Sequence, residues 1–312
     1  MSERRPFRFG VQFAGAKSST EWKERARKAE ALGYDILVMP DHLGGQFAIS
    51  PALAVVAEAT TTLRIGTFVL QNDLRHPALV AMEAATLDVL SDGRFELGLG
   101  AGGSLMADYE WTGIPFDPPG IRVGRLDESL RIIKGLLTEG PVTIAGRHYT
   151  ITGLEGRPKP VQRPRPPVLV GGGGPRLLSL AAREADIVSI LPTMLPAGGR
   201  FKEDESSAAT VADKVELLRR AAGERFPRLE LNVLVQKVIV TDDRQAGVGR
   251  LSAEWGMPVD DLLDGPYVYV GTTEQIADEL RSHREQLGIS YFVVFDEYLD
   301  AFAPVVAKLA DR

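Results

Sequence analysis

Asp41 and His42 follow the apolar run Tyr34–Met39 and Pro40, where a buried strand would end. An imidazole placed there can donate to, or protonate, a carbonyl or a ring nitrogen near neutral pH. Asp41 either orients that imidazole or meets another polar group of a ligand. The plainer alternative is a loop cap beside a packing histidine. Two glycine runs raise a second kind of chemistry. Gly171, Gly172, Gly173 and Gly174 lead into Pro175 and Arg176. Side-chain-free backbone at a helix start offers N–H groups and a positive dipole end to an anion such as phosphate, and Arg176 adds charge. The alternative is a tight strand-to-helix turn. Gly98, Gly100 and Gly103 spell GxGxxG, but no helix opens at the third glycine as dinucleotide binding requires. Gly100, Ala101, Gly102 and Gly103 read instead as backbone that a flat ligand approaches closely, or as a turn.

Further candidates sit at strand ends and in the loop beyond. Gln12 closes the first strand and Gln71 the third, and Tyr109 and Trp111 either wall a substrate pocket or pack their loop. His76 precedes Pro77 as a helix N-cap, His148 lies in a hairpin and His283 on a helix surface, so all three read as structural. The chain has no cysteine and four histidines, none in an HxH or HExxH pattern. Disulfides, thiolate catalysis and a Cys-ligated metal are excluded, and no metal site is expected. No GxSxG elbow supplies a nucleophile. The chemistry is therefore assigned to a cofactor.

These residues must be positioned by strands and helices in alternation. The stretch Leu63–Gly103 shows the unit: strand Leu63–Leu70, polar break, helix from Pro77, turn Ser91-Asp92-Gly93, strand Phe95–Leu99. In that helix Leu79, Val80, Leu87 and Leu90 are expected on one core face. Elsewhere Phe7–Phe13, Val168–Val170, Asp186–Leu191, Leu229–Val240, Val268–Val270 and Tyr291–Phe295 read as strands, and Pro141–Leu154 as a hairpin. Ser104–Gly124 reads as a long loop before a helix over Arg125–Leu137. Pro192–Glu205, with Gly198-Gly199 at its centre, is the candidate lid. About eight strands separated by helices predict a closed α/β TIM (β/α)8 barrel with loop and helix insertions, in one domain over residues 1–312. Loops after the strands then share one face, and the chemistry belongs there.

Composition sets the outer limits. The chain is 44% hydrophobic and 25% charged over 312 residues, enough for a large core. A net charge of -6 argues against a nucleic-acid surface. No apolar run is long enough to span a membrane, and the opening lacks the apolar stretch of a signal peptide. The expected setting is the cytoplasm, and the expected partner is a small-molecule substrate.

Several segments, in this order, resemble one family: RFGVQF, Gly33-Tyr34-Asp35 into MPDH, LRIGT, RHPALVAMEAATLDVLSDGRFELGLGAG, GIPFDPPGIRVGRLDESL and VLVGGGGPRLLSLAAREADIV. Over nearly its whole length the chain is similar to the luciferase-like monooxygenase superfamily, in its coenzyme F420-dependent oxidoreductase branch. The resemblance implies a TIM barrel with insertions, commonly a homodimer, with the deazaflavin ring at the C-terminal mouth. Carried over by position, Asp41 and His42 lie beside the ring and the phosphate lies near Gly171–Gly174. A non-proline cis peptide is implied at Phe68-Val69, with Val69 against the ring. Gly100–Gly103 would meet the ring edge or the linker phosphate. Relatives that oxidise glucose-6-phosphate carry a glutamate acid where this chain has Gly103, which departs from that activity. A tryptophan common in relatives is replaced here by Gly103-Ser104, whereas Asp108-Tyr109 matches their acidic–tyrosine pair.

The function so implied is hydride transfer between reduced 8-hydroxy-5-deazaflavin (F420) and a small organic substrate, reducing C=C, C=N or C=O. His42 would donate the proton, and Asp41 would orient it or contact the ring. Two alternatives remain: an FMN-dependent two-component monooxygenase of the same fold, and a flavin-binding protein without catalysis.

Overall fold

The structure is a computed structural model that describes residues 5–138, 140–192 and 205–310. Eight parallel strands form its centre: β1 (Arg8–Gln12), β2 (Ile36–Met39), β3 (Arg64–Thr67), β4 (Phe95–Gly100), β5 (Val168–Gly172), β6 (Ile187–Ile190), β7 (Glu230–Leu234) and β8 (Ile289–Phe295). Each pairs with its sequence neighbour, and β8 returns to β1 through Arg8↔Tyr291 to Gln12↔Phe295. The sheet is therefore a closed barrel, as expected, and closure removes exposed sheet edges. Ile36, Val38, Leu169, Ile187, Tyr291 and Val293 pack together as one cluster of buried strand residues. Helices α1 (Ser19–Ala31), α2 (Ile49–Ala59), α3 (Pro77–Leu90), α4 (Met106–Thr112), α5 (Pro119–Leu137) and α6 (Pro175–Glu184) follow the first five strands.

The two barrel ends differ in chemistry. At the strand starts, Arg8 pairs with Glu230 at 2.6 Å and also with Glu96, and Arg64 pairs with Glu96 at 2.6 Å. Side chains that consume one another's charge seal that end. The C-terminal end is where loops, helix starts and glycines gather.

One barrel strand is interrupted at that end. β3 stops at Thr67, the Phe68-Val69 peptide is cis, and pairing with β4 resumes at Leu70↔Leu99 and Gln71↔Gly100. The Thr67 hydroxyl bridges the gap, donating to the Gly98 carbonyl and accepting from the Gly98 amide, both at 2.8 Å.

Several expectations need correction. The expected strand Leu229–Val240 breaks after Leu234, because Gln236 N–H turns to the Tyr267 carbonyl at 2.7 Å. Lys237–Val240 then pairs with Val268–Gly271 in a separate two-stranded sheet, so the expected strand at Val268 is outside the barrel. The loop after β4 contains α4, and α5 opens at Pro119, within the expected loop, because proline is favoured at a first helical turn. On α3 the buried face is Val80, Ala81, Ala84, Ala85 and Leu87, while Leu79 and Leu90 are exposed. His283 is buried rather than on the surface, and its Nδ1 lies 2.8 Å from the Tyr269 hydroxyl. The expected lid falls almost wholly outside the described residues. Among the described residues no helix is long and apolar enough to cross a membrane.

Candidate active site

Asp41, the residue after the proline that ends β2, is buried and does not touch His42. Its carboxylate takes both arms of the Arg75 guanidinium, one at 2.9 Å, and the Gln71 amide at 2.8 Å. The expectation that Asp41 orients His42 is therefore wrong. Arg75 takes Asp41 because two parallel N–H donors match a carboxylate, while His42 Nδ1 has another carboxylate within reach. Asp41 instead joins the β2 loop to the β3 loop.

The partner of His42 comes from α4. His42 Nδ1 lies 2.8 Å from Asp108 Oδ2. Asp108 is fully buried, and its oxygens also accept the Leu43 amide at 3.0 Å and Gln71 Nε2 at 2.6 Å. Burial raises the Asp108 pKa, but the bonds from His42, Leu43 and Gln71 outweigh it and hold the group below the ordinary carboxylate range. With an anion at Nδ1, the proton of a neutral imidazole sits on Nδ1 and Nε2 is left to exchange a proton. The His42 side chain is 33% exposed, so Nε2 is reachable. Sequence reading placed Asp108 in the acidic–tyrosine pair without assigning it this role. The partners are 66 residues apart, and no local spacing signals them.

The glycines around the strand ends make room for Val69 rather than for open backbone. A Cβ at Gly100 would stand 2.8 Å from Val69 Cγ2, and one at Gly171 would stand 3.3 Å from Val69 Cγ1. The half-buried Val69 is thus set between the ends of β4 and β5, with buried Phe68 packed beside it among Ile36, Val38 and Leu169. Gly102 and Gly103 have positive φ, +76° and +88°, and Cβ atoms there would collide with the Tyr109 hydroxyl and the Arg122 guanidinium. Arg122 donates to the carbonyls of Ala101 and Gly102 and to that of Asp117. The loop after β4 is thus clamped by an α5 side chain that sequence reading did not single out.

The aromatic candidates separate. Tyr109 is 2% exposed, donates from its hydroxyl to Asp73 at 3.0 Å and packs edge-on against Phe116. Burial, chiefly, and the Asp73 charge push its phenol well above the ordinary range. It belongs to loop packing, not to a pocket wall. Trp111 is 63% exposed, with its ring over Gly44 in the loop after His42, and so stands where a substrate could meet it. Gln12 is half-buried at the end of β1.

At β5, Gly174 caps α6 and the first intrahelical bond is Leu178 N–H to the Gly174 carbonyl at 3.0 Å. The Arg176 and Leu177 amides have no partner inside the helix, and the space where a Gly174 side chain would sit is open. An anion can be held there by backbone alone.

Among the described residues, the buried side-chain atoms without a hydrogen-bond partner include Gln71 Oε1, Ser189 Oγ and Asn232 Oδ1. Gln71 spends its amide nitrogen on Asp41 O and Asp108, so its side-chain carbonyl, two residues along the chain from Val69, is an unsatisfied acceptor. A planar ring with an N–H at its edge fits a branched apolar support and that orphaned acceptor.

Comparison with known proteins agrees with this architecture. The family model for the luciferase-like monooxygenases matches residues 6–247. A putative coenzyme F420-dependent oxidoreductase of Mycobacterium tuberculosis is 33% identical over 257 residues, 77% of this chain and 68% of that protein. An F420-dependent glucose-6-phosphate dehydrogenase of Amycolatopsis mediterranei is 33% identical over 175 residues, 52% of this chain and 50% of that protein. The solved F420-dependent tetrahydromethanopterin reductase of Methanopyrus kandleri superposes with a TM-score of 0.79 over 98% of this chain and 100% of that one. At 17% identity that likeness speaks for the fold.

Proposed function

The chain belongs to the luciferase-like monooxygenase family, and from that premise we propose that it is an F420-dependent oxidoreductase that reduces a C=C, C=N or C=O bond of a small organic substrate. The observation that carries the reading is the His42–Asp108 pair, one loop away from Val69 and the orphaned Gln71 carbonyl. Val69 and Gln71 would hold the ring, and the amides at the start of α6, with Arg176, would hold the phosphate. Reduced deazaflavin supplies the hydride when bound. His42 Nε2 supplies the proton that a reduced double bond needs, and Asp108 stabilises the imidazolium before transfer. Asp41 and Arg75 hold the loops that carry His42 and Gln71. Gln12 and Trp111 would face the substrate.

Two features narrow the substrate. Relatives named glucose-6-phosphate dehydrogenases are similar over about half the chain, but the position of their acid is Gly103 here. Arg122 fills the space a side chain at 103 would need, so sugar-phosphate oxidation is disfavoured. The active unit we propose is a homodimer, supported by the exposed Leu79, Met82, Val89 and Leu90 on α3.

The test is a fluorescence titration with F420 and with FMN, followed by turnover assays with each reduced cofactor. Preference for F420 and oxidation of reduced F420 by an unsaturated or carbonyl substrate would support the reading. Preference for FMN with oxygen consumption would favour the monooxygenase alternative. Binding without turnover would indicate a flavin-binding protein.

A further inference from the structure

The partly exposed His42 imidazole is bordered by hydrocarbon. Asp108 accepts from the Leu43 amide as well as meeting His42, and so ties the loop after β2 to α4. Leu105 and Trp111 stand three residues before and after Asp108, which puts them on its side of the helix. The outer edge of the Trp111 ring reaches the same loop, 3.2 Å from where a Cβ of Gly44 would be. Phe47 extends the surface to the loop after β1. Its amide donates to the Ala14 carbonyl at 2.9 Å, and its ring lies beside Gly15 and edge-on to Trp22. Leu43, Phe47, Leu105 and Trp111 are each at least 37% exposed, and apolar side chains gathered in this way mark a recognition surface. The charges around it are spent. Arg75 is held by Asp41, Arg125 by Asp73 and Asp117, and Arg122 by backbone carbonyls. The exposed Glu110 is on the opposite side of α4, two residues on from Asp108. A carboxylate or phosphate placed on this surface would lose water without gaining any of these guanidinium groups.

We propose that the substrate is an uncharged, apolar ketone or enone whose hydrocarbon body lies on Leu43, Leu105 and Trp111 while its reacting bond sits at His42 Nε2. The proposal rests on the F420 reading above and names its substrate class. The double bond gains a hydride from reduced F420, which is oxidised, and a proton from His42. An indole and two leucines beside the proton donor select a body without charge, because each methylene they cover leaves water. Trp111 contributes the largest of these faces and is the residue that sets the specificity.

The experiment has two arms, both on the full chain. The first follows oxidation of reduced F420 by the straight-chain enones from 3-penten-2-one to 3-nonen-2-one and by matching compounds that end in a carboxylate. The expected result is that kcat/KM rises about three- to fourfold for each added methylene, that the carboxylates fall at least about tenfold below their neutral counterparts, and that Trp111→Ser flattens the rise. The second arm needs no cofactor and measures equilibrium dialysis of neutral 2-acetylnaphthalene and anionic 6-acetyl-2-naphthoate. The neutral ketone should bind at least about tenfold tighter, and Trp111→Ser and Leu43→Ser should each weaken it about threefold or more. Equal handling of neutral and anionic compounds in both arms overturns the apolar wall and leaves the F420 reading standing. A Trp111→Ser variant that changes sedimentation but not ketone binding makes this surface an interface between copies of the chain, and also overturns the proposal. Selective binding of the neutral ketone with no enone oxidising reduced F420 supports the wall and removes the F420 reading.

Discussion

His42 Nδ1 and Asp108 Oδ2 meet at 2.8 Å although 66 residues separate them. The contact fixes one face of the imidazole against a buried anion and leaves the other open at the barrel mouth. His42→Ala should lower kcat by about a hundredfold, within the range for a removed general acid, with F420 affinity changed by less than tenfold. Asp108→Asn should lower kcat by a smaller factor, because His42 stays but its imidazolium loses the carboxylate. Pre-steady-state oxidation of reduced F420 checks both, and full turnover in His42→Ala would rule the proton role out.

Gly100 faces Val69 so closely that a methyl group there must displace it. Gly100→Ala should cost about 1–3 kcal/mol of stability through overpacking and weaken F420 binding by roughly tenfold or more. Urea unfolding and the fluorescence titration separate the two effects. Unchanged binding would mean that Val69 does not support the ring.

The Asp41–Arg75 pair ties the loop after β2 to the loop after β3. Arg75→Ala strands a buried carboxylate, and about 3 kcal/mol of stability should be lost. Restoring neutrality with Asp41→Asn in the same chain should recover part of that loss, as a double-mutant cycle would show.

Glu30 links α1 to the segment before β3. Burial raises its pKa, but the amides of Thr62, Leu63 and Thr61 outweigh that and draw it from 4.5 down to about 2. A depressed folded value means the unfolded chain takes up the proton first as pH falls. Its contribution is therefore full above about pH 4.5 and is lost on the way down to about pH 2. Glu30→Gln should be less stable at pH 7 by about 1 kcal/mol and should lose stability less steeply across that window. Denaturation midpoints at several pH values measure this.

The α3 surface gives a test of assembly. Leu79, Met82, Val89 and Leu90 are each at least 40% exposed on one helix. Leu79→Glu with Met82→Glu should convert a dimer to monomers in sedimentation. A wild-type protein already monomeric would end the proposal.

Much of the frame was legible because it rests on local periodicity. The strands at Phe7, Tyr34, Leu63, Phe95 and Val168 lie where apolar runs end in polar or glycine-rich turns, and His76 caps α3 at Ala78 N–H as its place before Pro77 implies. The loop after β4 was less legible, because α4 is only seven residues long and lacks a side-chain cap. Leu79 and Leu90 were misassigned for a related reason. Helical spacing identifies residues on a common face, but α3 is apolar nearly all round, so the pattern does not say which face turns inward.

What the sequence by itself determined was the order of elements, the barrel and the end of it at which chemistry gathers, since each follows from residue type and short-range period. The pairings inside that end were decided by tertiary structure alone. Asp41 is beside His42 in the chain, yet it joins Arg75, while His42 receives Asp108 from a helix beyond the next two strands. Only closure of the barrel brings these distant loops within hydrogen-bond reach.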